Sequence, residues 1–319
     1  MSSVDVVVPC YNYARFLERC VDSVLSQEGV DVRVLIIDDA SPDNTPTVAR
    51  RLVERDSRVE YRRHATNCGH IATYNEGLLG WASAKYSLLL SADDALAPGA
   101  LARAVSVMDQ DESIGMTYGM ALIIADDSDI PEVHETGPVT HQVISGERFL
   151  ERCCARGNPV PTPTAVVRTS LQHRLGGYRP ELPHSGDMEM WMRFAIHAPV
   201  AVLDCVQAYY RLHGANMSTL YYERWTADRR EQFEACAEVF SRWGAHLPQA
   251  LTWLEAMSRR LGEEAFWTAS TAFDQGNMQA FRHCLDFALE FHPGLRRTAA
   301  WWRFQAKRML GPTLWGRIR

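Results

Sequence analysis

The chain has 319 residues, 46% of them hydrophobic and 23% charged, enough for roughly two domains with a sizeable core. A net charge of −6 makes nucleic acid an unpromising partner, and no run of about 18 apolar residues suggests a membrane-spanning helix. Eight scattered cysteines without a C-x-x-C pair fit reduced thiols of a cytoplasmic protein better than a disulfide framework or a zinc site. The N-terminus runs straight into a strand pattern, so no signal peptide is expected.

In chain order, Val4 to Val8 is a β-branched run ending at Pro9, a first buried strand. Phe16, Cys20, Val21 and Val24 give residues 14 to 27 helical spacing. Val32 to Ile37 is a second strand, followed by Asp38-Asp39 and a Ser41-Pro42-Asp43-Asn44 turn. Thr45 is expected to cap a helix with Pro46 at its first position and Val48, Ala49, Leu52 and Val53 on its inner face. A third strand at Val59 to Arg62, a helix over Ile71 to Trp81 and a strand at Tyr86 to Leu90 complete a βαβαβαβ series, the pattern of a parallel, Rossmann-like α/β sheet.

From 110 to 215 the pattern is mixed. Strands are expected within Ile114 to Ile124, at Thr164 to Val167, at Val200 to Leu203 and at Val206 to Leu212, with helices at Gly146 to Ala155 and Asp187 to His197. Beyond about 218 only helical patterns follow. The expected division is therefore a catalytic domain over 1–217 and a helical region over 218–319.

Ligands of open parallel sheets bind beyond the carboxyl ends of the strands. Four clusters occupy such places: Pro9 to Tyr13, Asp38-Asp39, Asn67-Cys68-Gly69-His70 through Asn75, and Ser91-Ala92-Asp93-Asp94. The first turn lacks glycine, which argues against a dinucleotide pyrophosphate, while Tyr11 and Asn12 suit stacking on and hydrogen bonding to a base. Asp39 is better placed than Asp38 to accept from a base N–H. Adjacent Asp93 and Asp94 repel unless a cation lies between them, and a divalent metal carrying a phosphate-bearing ligand would relieve this. The plainer alternatives are a surface aromatic, turn caps and a loop glycine.

The motifs Val6-Val7-Val8-Pro9-Cys10-Tyr11-Asn12, Ile36-Ile37-Asp38-Asp39-Ala40-Ser41, Asn67-Cys68-Gly69, Asn75-Glu76-Gly77 and Ser91-Ala92-Asp93-Asp94 stand in that order. Gly176-Gly177-Tyr178, Gly186-Asp187-Met188-Glu189-Met190-Trp191-Met192-Arg193 and Tyr210-Arg211-Leu212-His213 follow. Together they resemble a family 2 glycosyltransferase of the GT-A fold across residues 3 to 215. The resemblance implies a mostly parallel sheet with flanking helices. It implies inverting transfer of a hexosyl or N-acetylhexosaminyl group from a nucleotide-diphosphate sugar, a UDP-sugar, to an acceptor hydroxyl. The setting would be bacterial surface polysaccharide or glycoconjugate synthesis, with a saccharide or lipid-linked saccharide as acceptor.

Carried over by position, Tyr11 and Asp39 would hold the nucleobase, and Pro9 and Asn12 would shape its pocket. Asn67, Gly69, Asn75, Ser91, Asp93 and Arg211 would complete the donor site. Asp93, Asp94 and His213 would hold Mg2+ or Mn2+, either aspartate serving as the direct ligand. Asp187 would be the base, kept ionised by its helix N-terminus, or else merely a cap. Ser91 stands where the family commonly has Asp, and Gly186 where it commonly has Glu. Those departures leave room for a catalytically silent nucleotide-sugar-binding module. A nucleotidyltransferase on a similar sheet is the other alternative, though Arg15 and Arg19 offer little positive charge near the first turn.

In the C-terminal region Phe233, Val239, Trp243, Leu247, Leu251, Leu254, Leu261 and Phe266 read as packed helix faces. Residues 296–319 carry seven basic residues and no acid, leaving −13 on the remainder. Trp301, Trp302, Phe304, Met309, Leu310 and Trp315 are interleaved with them. That segment suits either peripheral contact with the inner face of the cell membrane or a docking helix with a solvated basic face.

Overall fold

The computed structural model describes residues 1–125, 131, 140–214 and 225–315, the last five by their backbone only. The chain divides into two units, Met1–Cys153 with Asn158–Thr219, and Cys154–Gly157 with Leu220–Arg319. The turnover to helices expected near 218, and Arg317 and Arg319, lie outside the described residues.

In the first unit β1 (Ser3–Cys10), α1 (Ala14–Leu25), β2 (Asp31–Asp38), α2 (Thr45–Arg55), β3 (Val59–Arg63), α3 (His70–Gly80) and β4 (Tyr86–Leu89) follow one another. The four strands pair in parallel in the order β3-β2-β1-β4, with Val6 facing Val34 on one side and Leu88 on the other. Val4, Val6, Val7, Val8, Leu35, Ile36 and Leu88 are all buried, which is why β1, β4 and the end of β2 read as continuous apolar runs, while edge strand β3 exposes Glu60, Arg62 and Arg63. Gly77 lets α3 lie directly on β1, because a Cβ there would come within 2.3 Å of Val7 Cγ1. This close approach sets the N-terminal half of α3 over the end of β1.

Next come β5 (Ala95–Leu96), α4 (Ala100–Gln110), β6 (Met116–Ala125), β7 (His141–Ile144), α5 (Gly146–Arg156), β8 (Val166–Arg168), α6 (Thr169–Leu175), α7 (Gly186–His197) and β9 (Val200–Leu212). They extend the sheet to β3-β2-β1-β4-β8-β6-β9-β5, with β7 also on β9. β8 runs antiparallel to both β4 and β6, so the sheet is mixed, with its longer ladders parallel.

Several local expectations are corrected. Asn44, not Thr45, precedes α2, and Asp43 Oδ1 accepts from both Thr45 N (3.0 Å) and Thr45 Oγ1 (2.6 Å). Val53 is exposed, one position off the stripe formed by Val48, Ala49 and Leu52. The two strands expected between 200 and 212 are one, running through Asp204, whose backbone N–H donates to Thr140 O at 3.0 Å. The two-residue β5, the edge strand β7 and the short α6 left no periodic signal long enough to read.

The second unit contains α8 (Trp225–Trp243), α9 (Ala250–Asp274), α10 (Met278–Phe291) and α11 (Ala299–Trp315). Val239, Leu261, Phe266, Phe281, Phe287 and Phe304 are buried. Leu251 is not a core residue: it is 74% exposed, because the buried stripe of α9 runs through Ala250, Met257, Leu261 and Ala265. Lys307, expected on a solvated basic face, turns inward and its Nζ donates to Asp274 Oδ2 at 2.6 Å. No described helix is long and apolar enough to cross a membrane.

Candidate functional site

The ends of β1 and β2 form two turns braced against each other. Asn12 N donates to Ser41 Oγ (3.0 Å) and Ala14 N to Asp43 Oδ2 (2.9 Å). Asn12 and Ala40 sit at φ +62° and +59°, a left-handed conformation that costs energy for any residue with a Cβ and collects at ligand sites. Adjacent Asp38 and Asp39 point apart. Asp38 closes its own turn, accepting from Ser41 N (2.7 Å) and Tyr61 Oη (2.9 Å). Asp39 instead faces a cavity of about 260 Å³ that Pro9, Tyr11, Asn12 and Ser91 also line, with Tyr11 left 48% exposed.

Cys10, Tyr13, His70, Thr73 and Tyr74 line the cavity as well, and the sequence assigns none of them a role there. A helical-spacing check on α3 would have found Tyr74, one turn beyond His70. Asn67 and Gly69 act through Asp39. Gly69, at φ +83°, donates its N–H both to Asn67 Oδ1 (3.0 Å) and to Asp39 Oδ2 (2.9 Å). Cys68 N (2.7 Å) and His64 Nδ1 (2.7 Å) reach Asp39 Oδ1, and His64 Nε2 lies 2.8 Å from Glu76 Oε2. Burial pulls the His64 imidazole down, but its bonds to Asp39 and Glu76 outweigh this and the net direction is up. Asp39, His64 and Cys68 bring three metal-capable atoms within 4.8 Å, the one such convergence among the described residues. Because two backbone amides already occupy Asp39, we read the group as a hydrogen-bonded brace.

Asn75, expected in the donor site, bonds to the Tyr178 backbone, its amide accepting from the N–H (2.7 Å) and donating to the carbonyl (2.8 Å).

The acid pair follows β4. Ser91 O accepts from Asp94 N (3.0 Å) and closes the turn. β5 pairs antiparallel with β9, Ala95 opposite Tyr209, and the same register continued brings Arg211 opposite Asp93. Asp93 Oδ2 lies 3.0 Å from His213 Nε2, while Asp94 Oδ1 accepts from Arg211 N at 3.0 Å. Arg211 donates from Nε to Asp93 O (3.1 Å) and from Nη1 to Ala125 O (3.2 Å), with its guanidinium 5.0 Å from the Phe16 ring centre. His213 packs on Tyr13 and Phe16.

Burial pushes the Asp94 carboxyl well up, and the charge of Asp93 adds to it. Burial also raises Asp93, partly offset by the bond to His213. This donor set fits a hard divalent cation. Buried like charges want a positive neighbour, and 3.0 Å is about the spacing of adjacent ligands each about 2.1 Å from one ion. The expected set of three does not converge, because Asp94 Oδ1 turns to the Arg211 amide. Asp93 and His213 remain as the pair.

Asp187 lies in the first turn of α7, half-buried, with Thr162 Oγ1 donating to its Oδ2 at 2.6 Å. The net shift is up, not the lowering expected from the helix N-terminus. Burial raises the carboxyl, and the hydroxyls of Thr162 and Tyr178 and the nearby His70 only partly oppose this. A T-shaped ring series, His70 to Tyr74 and Tyr74 to Tyr178, both 5.4 Å between centres, runs from the cavity wall towards Asp187. Gly186 has a packing reason: a Cβ there would lie 3.3 Å from Tyr178 Cδ1. Behind it, buried Glu189 pairs with Arg193 (Nη2 to Oε2 2.8 Å) and Arg179 (Nε to Oε1 2.8 Å). Arg193 also donates to the carbonyls of Leu175 and Gly177, each at 2.7 Å. Sequence alone offered no route to Thr162, which lies 25 residues from its partner.

Two solved structures share this fold. One is S. aureus TarS 1-349 in complex with UDP-GlcNAc, 18% identical, covering 92% of each chain at TM-score 0.57. The other is the mannosyltransferase PcManGT from Pyrobaculum calidifontis in complex with GDP-Man and Mn2+, 17% identical, covering 96% of this chain and 86% of that one at TM-score 0.57. At such identity they speak to the GT-A architecture alone. Among curated sequences, an uncharacterized glycosyltransferase of Nostoc sp. is 28% identical over 219 residues, 67% of this chain. The chain spans 63% and 66% of the length of the first two curated relatives it matches. The family model for glycosyl transferase family 2 matches residues 5–170, more than half the chain, and with the strand-end site described above the chain belongs to that family.

Proposed function

We propose that the chain is an inverting glycosyltransferase that moves a sugar from a nucleotide-diphosphate sugar to an acceptor hydroxyl, with Asp187 as general base. The observation that carries this is the juxtaposition at one end of the sheet. A cavity walled by Tyr11 and Asp39 shares His70 and Tyr74 with the ring series that leads to Asp187, a carboxylate raised by burial and held by Thr162. The raised direction suits a base, since proton affinity grows with pKa. Asp187 takes the acceptor proton as the acceptor oxygen bonds to the anomeric carbon. The bond from that carbon to the diphosphate oxygen breaks, and its electron pair leaves with the nucleoside diphosphate. Thr162 fixes the carboxylate, Tyr11 offers a stacking face to the base, and Asp39 accepts from a base N–H. Mg2+ or Mn2+ held by Asp93 and His213 would supply positive charge to the departing diphosphate.

UDP- and GDP-sugars, the kinds of ligand in the two structural neighbours, are the first to try. The catalytic residues fall within 1–217, which we take as the catalytic domain, with 218–319 as a separate helical region. Exposed Trp302, Met309 and Leu310 recur at helical spacing on α11 beside exposed Arg303 and Arg308, and support peripheral contact with an anionic membrane on the cytoplasmic side. Equal co-sedimentation of the full chain and its Trp302→Glu/Met309→Glu variant with phosphatidylglycerol vesicles would rule that contact out.

The main test is a thermal-shift screen of nucleotide sugars with and without Mn2+, followed by transfer assays. Asp187→Asn should bind donor as the wild type does and turn over at least ~10²-fold more slowly. Wild-type turnover by that variant would remove Asp187 from the mechanism. Donor binding with no transfer to any saccharide acceptor would favour a silent binding module.

A further inference from the structure

Asp39 is held for its task by a neighbour that the family motifs do not include. β2 and β3 run parallel with Asp38 opposite Arg63, and His64 N donates to Asp38 O at 2.9 Å one step further on. That register sets His64 beside Asp39 at the sheet end. The imidazole is 14% exposed and both of its nitrogens are engaged, Nδ1 by Asp39 Oδ1 at 2.7 Å and Nε2 by Glu76 Oε2 at 2.8 Å. Glu76 lies on α3, the helix that also carries His70 and Tyr74 into the cavity, and its other oxygen is 3.4 Å from Arg62 Nη1. The imidazole therefore ties β2, β3 and α3 together behind Asp39, which lines the cavity.

We propose that His64 is a positioning residue of the donor site, holding the Asp39 carboxylate in the orientation that reads the nucleobase and locking it to α3 through Glu76. The proposal rests on the reading of the cavity as the donor site. The Cys68 and Gly69 amides hold Asp39 from the loop side, at 2.7 and 2.9 Å, and His64 restrains it from the sheet side. With His64 gone the carboxylate keeps its loop contacts but can rotate about them. Donor affinity should then fall while the chemistry at Asp187 is untouched.

The test is calorimetric titration of UDP and of GDP into the wild type and the variants Asp39→Asn, His64→Ala and His64→Asn, with transfer kinetics on the same proteins. Asparagine presents an amide N–H close to where Nδ1 lies, so it can restore the bond to Asp39 without reaching Glu76. We expect His64→Ala to weaken the preferred nucleotide and raise the donor KM about tenfold with kcat within about twofold, one charge-assisted hydrogen bond being lost. His64→Asn should recover most of that loss, and melting should show that both variants are folded. If Asp39→Asn weakens binding and His64→Ala does not, the positioning role is wrong and the cavity reading stands. If His64→Ala and His64→Asn lose affinity equally, or kcat falls as much as affinity, His64 is only structural. Wild type that binds neither nucleotide overturns this proposal together with the reading beneath it.

Discussion

Replacing Arg193 by methionine should destabilise the first unit by about 3 kcal/mol and loosen the segment that carries Tyr178. Glu189 is fully buried, and Arg193 meets it through Nε at 3.0 Å and Nη2 at 2.8 Å. The same guanidinium satisfies the carbonyls of Leu175 and Gly177 at 2.7 Å each. Removing one partner of a buried ion pair costs roughly 3–5 kcal/mol, because the other charge stays buried. The low end applies here, since Arg179 still pairs with the second Glu189 oxygen at 2.8 Å. In a unit of this size that corresponds to a fall of about 6–12 °C in Tm. Differential scanning calorimetry would resolve it as an earlier first transition. The double variant Arg193→Met/Glu189→Leu should recover more than half of the loss, because it removes the stranded charge as well. A drop below about 2 °C in the single variant, or a double variant no more stable than the single, would refute the argument.

Three other outcomes follow from the site. Thr162→Ala removes a hydroxyl bond that favours the ionised form of Asp187, so the acid limb of kcat/KM should move to higher pH; an unmoved limb would mean that this bond does not tune the base. Asp94 has a raised carboxyl, so folding takes up a proton there: its stabilising contribution is complete below the unfolded pKa and is lost as pH rises through the folded one. Asp94→Asn should accordingly melt above the wild type at pH 7–8 in EDTA, and Mn2+ should stabilise the wild type more at pH 8 than at pH 5, both read by thermal shift. Gly186→Glu should cost about 1–3 kcal/mol through overpacking on Tyr178 and lower activity, and an active variant of wild-type stability would show that Tyr178 yields freely.

Much of this arrangement is legible in the sequence. β1, β4 and the C-terminal half of β2 are buried on both faces, so their apolar runs are uninterrupted, and the rule that ligands meet carboxyl strand ends then picks out Tyr11, Asp39 and Asp93. Other features depend on pairing, which no local pattern carries. His64 becomes a neighbour of Asp39 only once the register of β2 on β3 is known, and Asp94 is claimed by Arg211, 117 residues away. Asn75 belongs to a conspicuous motif yet serves Tyr178, 103 residues on. The expected lowering of Asp187 is reversed in direction, because a helix N-terminus is visible in sequence and burial is not. Leu251 and Val53 were assigned to cores because hydrophobicity was weighed ahead of their angle around the helix.

The position of Cys68 has a practical consequence. Seven of the eight cysteines are buried, and burial pushes the Cys10 thiol up to about 12, so reagents that need a thiolate will pass it by. Cys68 alone is exposed, and its own amide holds the Asp39 carboxylate. A fluorophore attached there would sit one hydrogen bond from the residue assigned to the nucleobase. The unaltered chain thus offers a built-in reporter: the rate at which Cys68 is alkylated, followed while nucleotides are added one at a time, would rank donors without an acceptor, a radiolabel or an engineered cysteine.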